Sequence, residues 1–193
     1  MSKSPKKKKE NEVGEQSMSK DSYSTTQVTS IQQKIQQEKE YLLSVLNFDE
    51  HLREQVEEMF NINLKGFPAG EEPMIFCTAV FKIGNAELAM SKLEKLSDVW
   101  LVDINEERAY YIWTRPYPKG HWNPISKTPG ARQIIGEVQV NFDNTLTLET
   151  KTKSWITQLI HLMIGVLGED IRLINLEFES PSDLLKKAID QKE

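Results

Sequence analysis

Four cations, Arg115, Lys119, Lys127 and Arg132, fall in one stretch, 110–132, that contains no acidic residue. Tyr110, Tyr111, Trp113, Tyr117 and Trp122 are interleaved with them, beside His121 and the prolines Pro116, Pro118, Pro124 and Pro129. Aromatic rings can stack bases while Arg and Lys meet phosphates, a common way of holding single-stranded nucleic acid. Trp, Tyr and Arg also dominate the hot spots of protein interfaces. A third reading is structural: the tryptophans turn inward and staple a long loop to the domain. The candidate binding residues are Trp113, Arg115, Tyr117, Lys119, His121, Trp122, Lys127 and Arg132.

Other chemistry finds less support. Cys77 stands in an apolar strand-like run and reads as a small buried hydrophobe. His51, His121 and His161 fall in three separate elements, and no glycine-framed nucleophile turn accompanies them. No His-x-x-x-His or Glu-x-x-His spacing occurs, and no Gly-rich phosphate loop. The residues therefore imply no metal and no cofactor. An enzyme would need a pocket assembled in space, with His121 or His161 beside a carboxylate or thiol. His161 lies on the polar stripe of an otherwise apolar helix, with Thr157 and Gln158, where a histidine ordinarily faces solvent.

The whole chain of 193 residues has a formal net charge of −5, so the residues outside 110–132 carry −9. Such a chain is no general polyanion binder; nucleic-acid affinity would have to be local. A single cysteine excludes an internal disulfide framework and suits a reducing compartment. The N-terminal lysines are followed by no apolar h-region, and the longest apolar run is too short to span a bilayer. The expected location is the cytoplasm.

The elements that must position these residues follow from periodicity and punctuation. Residues 1–28 are polar and basic and read as a disordered tail; Lys6 to Lys9 are followed at once by acids, as in a solubilising segment. Residues 29–61 read as a helical hairpin, with Ile31, Ile35, Leu42, Val45 and Leu46 on one helix and Leu52, Val56, Met59 and Phe60 on the next. Asp49 is the expected N-cap of the second helix. Gly66, Pro68, Gly70 and Pro73 mark a boundary.

A core domain at 74–178 follows. Its predicted order is a strand at 74–83, an Asn85-capped helix bearing Leu88, Ala89, Leu93 and Leu96, then strands at 99–104 and 108–114. After the proline-rich stretch come strands at 134–142 and 146–150, a helix at 152–167 stopped by Gly168, and a strand at 171–178. Alternation puts Phe142 opposite Leu146 and Val140 opposite Leu148, with a three-residue loop of Asp143, Asn144 and Thr145. Gly136 falls on the inward face and marks a bend or the close approach of a helix. Residues 180–193 read as a C-terminal helix with Pro181 at its first position. The fold class is α+β: a mostly antiparallel sheet with helices on one face, preceded by the helical hairpin.

One run resembles a known pattern. The strand Ile134-Ile135-Gly136-Glu137-Val138, the hairpin strand Leu146-Thr147-Leu148-Glu149 and the helix closing on Leu167-Gly168-Glu169-Asp170-Ile171, after Trp113 or Trp122, are similar to an uncharacterised bacterial module found beside zinc-binding SEC-C motifs. The likeness spans about residues 75–178 and lacks the cysteine cluster, so it implies a bacterial-type cytoplasmic setting and no activity. The expected function is a non-enzymatic protein-interaction module that contacts an unknown protein partner through 110–132. The alternatives are single-stranded nucleic-acid binding by the same loop and an enzyme with an assembled pocket. The helical hairpin is a candidate second contact, or the handle of a homodimer.

Overall fold

The computed structural model describes residues 25–64, 71–117, 128 and 130–190. Lys119, His121, Trp122, Lys127, the lysines at positions 6–9 and most of the predicted tail lie outside the described residues.

Helix α1 spans Thr25–Val45, starting earlier than the apolar pattern indicates, inside the stretch read as tail. A 3-10 turn, Glu50–Leu52, leads into the short α2, Arg53–Glu58. Asp49 precedes the turn but makes no side-chain cap; its carboxylate pairs with Arg172 instead. Strand β1 is Phe76–Ile83, followed by α3, Ala86–Leu93. Asn85 caps α3, its side chain accepting from the Leu88 amide at 2.7 Å. Ala89 and Leu93 face the core, whereas Leu88 points out. Strands β2, Val99–Ile104, and β3, Arg108–Pro116, form a hairpin. β4 is Arg132–Asn141 and β5 is Thr145–Thr150. Thr152 caps α4, Lys153–Leu167, and Gly168, at φ 78°, ends it where a side chain would be strained. β6, Ile171–Glu179, and α5, Pro181–Asp190, complete the chain.

The six strands form one antiparallel sheet in the order β2-β3-β4-β5-β1-β6. Strands from before and after the proline-rich stretch are thus interleaved: β1 lies between β5 and β6. Helices pack on one face, and a single cluster of buried side chains runs from Leu42 of α1 through the sheet to Leu176 of β6. The helical hairpin therefore packs on its own chain. Lys153 locks it there, donating to Glu58 O at 2.8 Å and Asn61 O at 3.2 Å while pairing with the Glu58 carboxylate. Its stem passes over the Phe178 ring, with the ammonium 5.0 Å from the centroid. Residues 47 and 48 touch β6: Leu173 N donates to Asn47 O at 2.8 Å, and Phe48 bridges Leu173 in parallel.

The β4–β5 hairpin has the predicted three-residue loop, one position earlier than expected. Val140 opposes Leu146 and Val138 opposes Leu148, so Phe142, Asp143 and Asn144 form the loop and Phe142 is exposed. The reason is conformational. The last residue of such a loop is left-handed, and Asn144 stands at φ 64°; the expected loop would have forced β-branched Thr145 there. Gly136 sits where a helix comes close, as its inward position suggests. A Cβ built on it would lie 3.1 Å from Leu159 Cδ2, 3.2 Å from Thr150 Cγ2 and 3.3 Å from Glu149 O.

β3 continues through Pro116, contrary to the expectation that proline ends the sheet at Thr114. Thr114 N donates to Asp98 O at 2.8 Å, and strand alternation turns position 116 to the same side, beyond the start of β2. Proline there gives up a ladder bond that has no partner strand to receive it.

Candidate functional site

The fold gathers one large cleft, of about 690 Å³, between α1, α4, the segment after α2 and the base of the β2–β3 ribbon. That volume is within the range of ligand-binding pockets, about 300–1,000 Å³. Its floor is apolar: Ile35 from α1, Phe60 and Ile62 after α2, Leu96 and Val99, and Trp113 of β3. Trp113 reaches it because β3 alternates Ala109, Tyr111 and Trp113 inward; it is only 4% exposed. Trp113 therefore turns inward, as the structural reading of this stretch has it, and forms part of the cleft floor.

Arg115 stands two residues on, half-buried at the lip. Its guanidinium lies over the Trp113 ring, 5.1 Å from the centroid, and hydrogen-bonds the Gln158 side-chain oxygen of α4. A cation in this position is held by the electron-rich ring face. Among the described residues no carboxylate pairs with it. Lys34 contributes a second cation to the rim.

His161 also lines the cleft rather than simply facing solvent. Its Nδ1 is 2.6 Å from Glu38 Oε1 of α1, and its ring stands 4.7 Å from that of Tyr41. The carboxylate accepts the Nδ1 proton, which fixes the tautomer and leaves Nε2 to the other side. Gln158 and Ser154 precede it on the same helix. Ser154 is engaged by Glu72: its hydroxyl donates to Oε2 at 2.6 Å and its amide to Oε1 at 3.2 Å. Ser154 and His161 are two helical turns apart, about 10 Å along the axis. The cleft therefore holds an oriented histidine, with Ser154 out of its reach and tied to Glu72.

Arg132, another candidate of the basic stretch, is committed to structure. It pairs with Asp98, donates to Thr114 Oγ1 at 2.8 Å and to Thr114 O at 3.1 Å, and so clamps the end of β2 to β3 and β4. Tyr117 follows β3 and is half-buried. Trp113 and Arg115 are thus together in the cleft, Arg132 is near its edge, and Lys119, His121, Trp122 and Lys127 lie outside the described residues.

Glu38 and Lys34 escaped sequence reasoning. A signal exists: Lys34, Glu38 and Tyr41 are spaced by four and three, one polar stripe beside the Ile35 and Leu42 face of α1. Nothing in the spacing shows that this stripe meets the Thr157, Gln158 and His161 stripe of α4, 123 residues away.

Cys77 is buried under the sheet, and burial pushes its thiol up to about 12, away from nucleophilic use. Among the described residues, no group of His, Cys, Asp and Glu is arranged to hold a metal, and no helix is long and apolar enough to cross a membrane. No family model, curated protein or solved structure matches this chain.

Proposed function

We propose that the protein is a non-enzymatic interaction module and that its contact is the cleft floored by Trp113. A partner inserts an apolar side chain over Leu96, Val99 and Phe60 and sets an acidic group against Arg115. One observation carries this reading: a guanidinium laid on an indole, 5.1 Å away, at the mouth of an apolar cleft, with no carboxylate to neutralise it among the described residues. Buried aromatic–Arg pairs of this kind are what interface hot spots are made of. His161 Nε2 and Gln158 supply hydrogen bonds that fix orientation. Single-stranded nucleic acid is the weaker fit, because Trp113 is only 4% exposed and offers bases no open ring face to stack on.

The test uses short acetylated, amidated peptides with Leu, Phe or Trp next to Glu, their Lys counterparts, and a ten-nucleotide oligo-dT. Binding is followed by amide chemical-shift changes in the full chain. The Glu peptides are expected to move Leu96, Val99, Arg115 and Leu162 signals, and Arg115→Gln to weaken them about tenfold. Binding of the oligonucleotide alone, falling steeply with salt, would replace this function with nucleic-acid binding. Equal shifts from Glu and Lys peptides would remove Arg115 from the role.

A further inference from the structure

Among the described residues β2 is an edge strand, paired with β3 alone. Four of its residues are apolar and open to solvent: Trp100 is 52% exposed, Leu101 45%, Val102 56% and Ile104 52%. Register sets Trp100 opposite Ile112 on the open face, and Leu101 and Ile104 opposite Tyr111 and Ala109 on the helix side. The strand is apolar on both sides of the pleat, which is the pattern of a sheet interior rather than a border. Such an edge is a template for another strand.

The charges around it select the occupant. Asp103, Glu106 and Glu107 follow one another at its far end and have no cation partner among the described residues. Arg108, adjacent in sequence, is turned to Gln139 Oε1 at 2.5 Å, and Asp98 at the near end is already paired with Arg132. A second copy of this chain fits poorly. Antiparallel self-pairing about Val102 brings Glu106 near the second copy's Asp98 just past the strand ends, and parallel pairing sets Asp103 beside Asp103. Like charges directly opposite destabilise a ladder.

We infer that β2 accepts an extended segment of a partner protein as a seventh strand, apolar in its middle and carrying Lys or Arg at the end that meets Asp103 and Glu107. Main-chain hydrogen bonds hold the segment, and the acids choose its charge. β2 has six residues and the bulge between Leu101 and Asp103 interrupts its ladder, so a short partner run is enough to fill it.

The probe is a synthetic peptide, acetyl-Arg-Val-Thr-Ile-Val-Lys-Lys-amide, with a counterpart in which Glu replaces the three cations. Hydrogen exchange over residues 98–105 is measured on the full chain by mass spectrometry. The basic peptide slows exchange there, and the acidic one needs about tenfold more to match it. The double variant Asp103→Lys, Glu107→Lys reverses that preference; both sites are exposed, so folding is retained. Leu101→Lys with Ile104→Lys abolishes protection by either peptide. Arg115→Gln leaves it unchanged, which separates this surface from the cleft. No protection by the basic peptide, or equal protection by both, overturns the inference. So does protection that grows with protein concentration alone alongside a dimer in sedimentation, since the occupant is then a second copy.

Discussion

Replacing Gly136 by alanine tests how closely α4 is seated on the sheet, and therefore what holds the cleft in shape. The new methyl would meet the Leu159 side chain, the Thr150 methyl and the Glu149 carbonyl at 3.1, 3.2 and 3.3 Å together. Leu159 is fully buried, and Thr150 is held by a 3.0 Å bond from its hydroxyl to Thr152 O, so neither moves freely. Overpacking of this order costs about 1–3 kcal/mol. Losing the extra backbone freedom of glycine in the unfolded chain returns about 0.5–1 kcal/mol. The net expectation is a loss of about 1–2 kcal/mol, which at a urea slope of about 2 kcal/mol per molar lowers the midpoint by about 0.5–1 M. Urea titrations followed by circular dichroism measure it. Leu159→Ala alone costs about 2–5 kcal/mol, but in the double variant the added methyl enters the vacated space, so the two losses sum to less than their total. A midpoint that rises in Gly136→Ala, or strict additivity in the double variant, refutes the idea that this glycine exists to admit the helix.

Three further outcomes follow from the same packing. Lys153→Met removes the donor to Glu58 O and Asn61 O and is expected to cost about 2–4 kcal/mol, with exchange protection lost first in α2. Cys77, buried and with its thiol pushed up to about 12, is expected to react with a disulfide reagent at pH 8 only as fast as the protein opens, so urea below the midpoint should accelerate it. Burial raises the Glu149 carboxyl, and the Glu137 carboxylate directly opposite raises it further. The folded state then binds more protons than the unfolded one between the two values, so this group's contribution falls as pH rises from the ordinary carboxylate range through the raised folded value. Glu149→Gln is expected to flatten that part of the stability profile and add about 0.5 kcal/mol at pH 7; an unchanged profile removes the pair as its cause.

Much of the fold was legible in the chain because local chemistry dictates it. Asn85 and Thr152 announce the starts of α3 and α4, Gly168 ends the latter, and alternation gives β1 to β6 within a few residues. The loop of the β4–β5 hairpin was misplaced because apolar alternation is indifferent to a shift of two in register, and only the left-handed demand on Asn144 resolves it. Strand order was not legible: nothing in β1 states that it lies between β5 and β6. Half of the cleft was visible as Trp113, Arg115 and the polar stripe of α4. The other half, Lys34 and Glu38, belongs to a helix that tertiary packing alone brings to α4, which no local pattern states. Arg132 shows the converse error, since a cation in a basic stretch reads as a contact until its bonds to Thr114 and Asp98 are seen.

The hold of residues 47 and 48 on β6 has a consequence for assembly. A bare sheet with two free borders can add strands at either side without limit, which is how fibrils grow. Here the β6 border is engaged by Asn47 and Phe48 at Leu173, while among the described residues β2 pairs with β3 alone. Head-to-tail stacking of copies would need both borders free, and at Leu173 one of them is not.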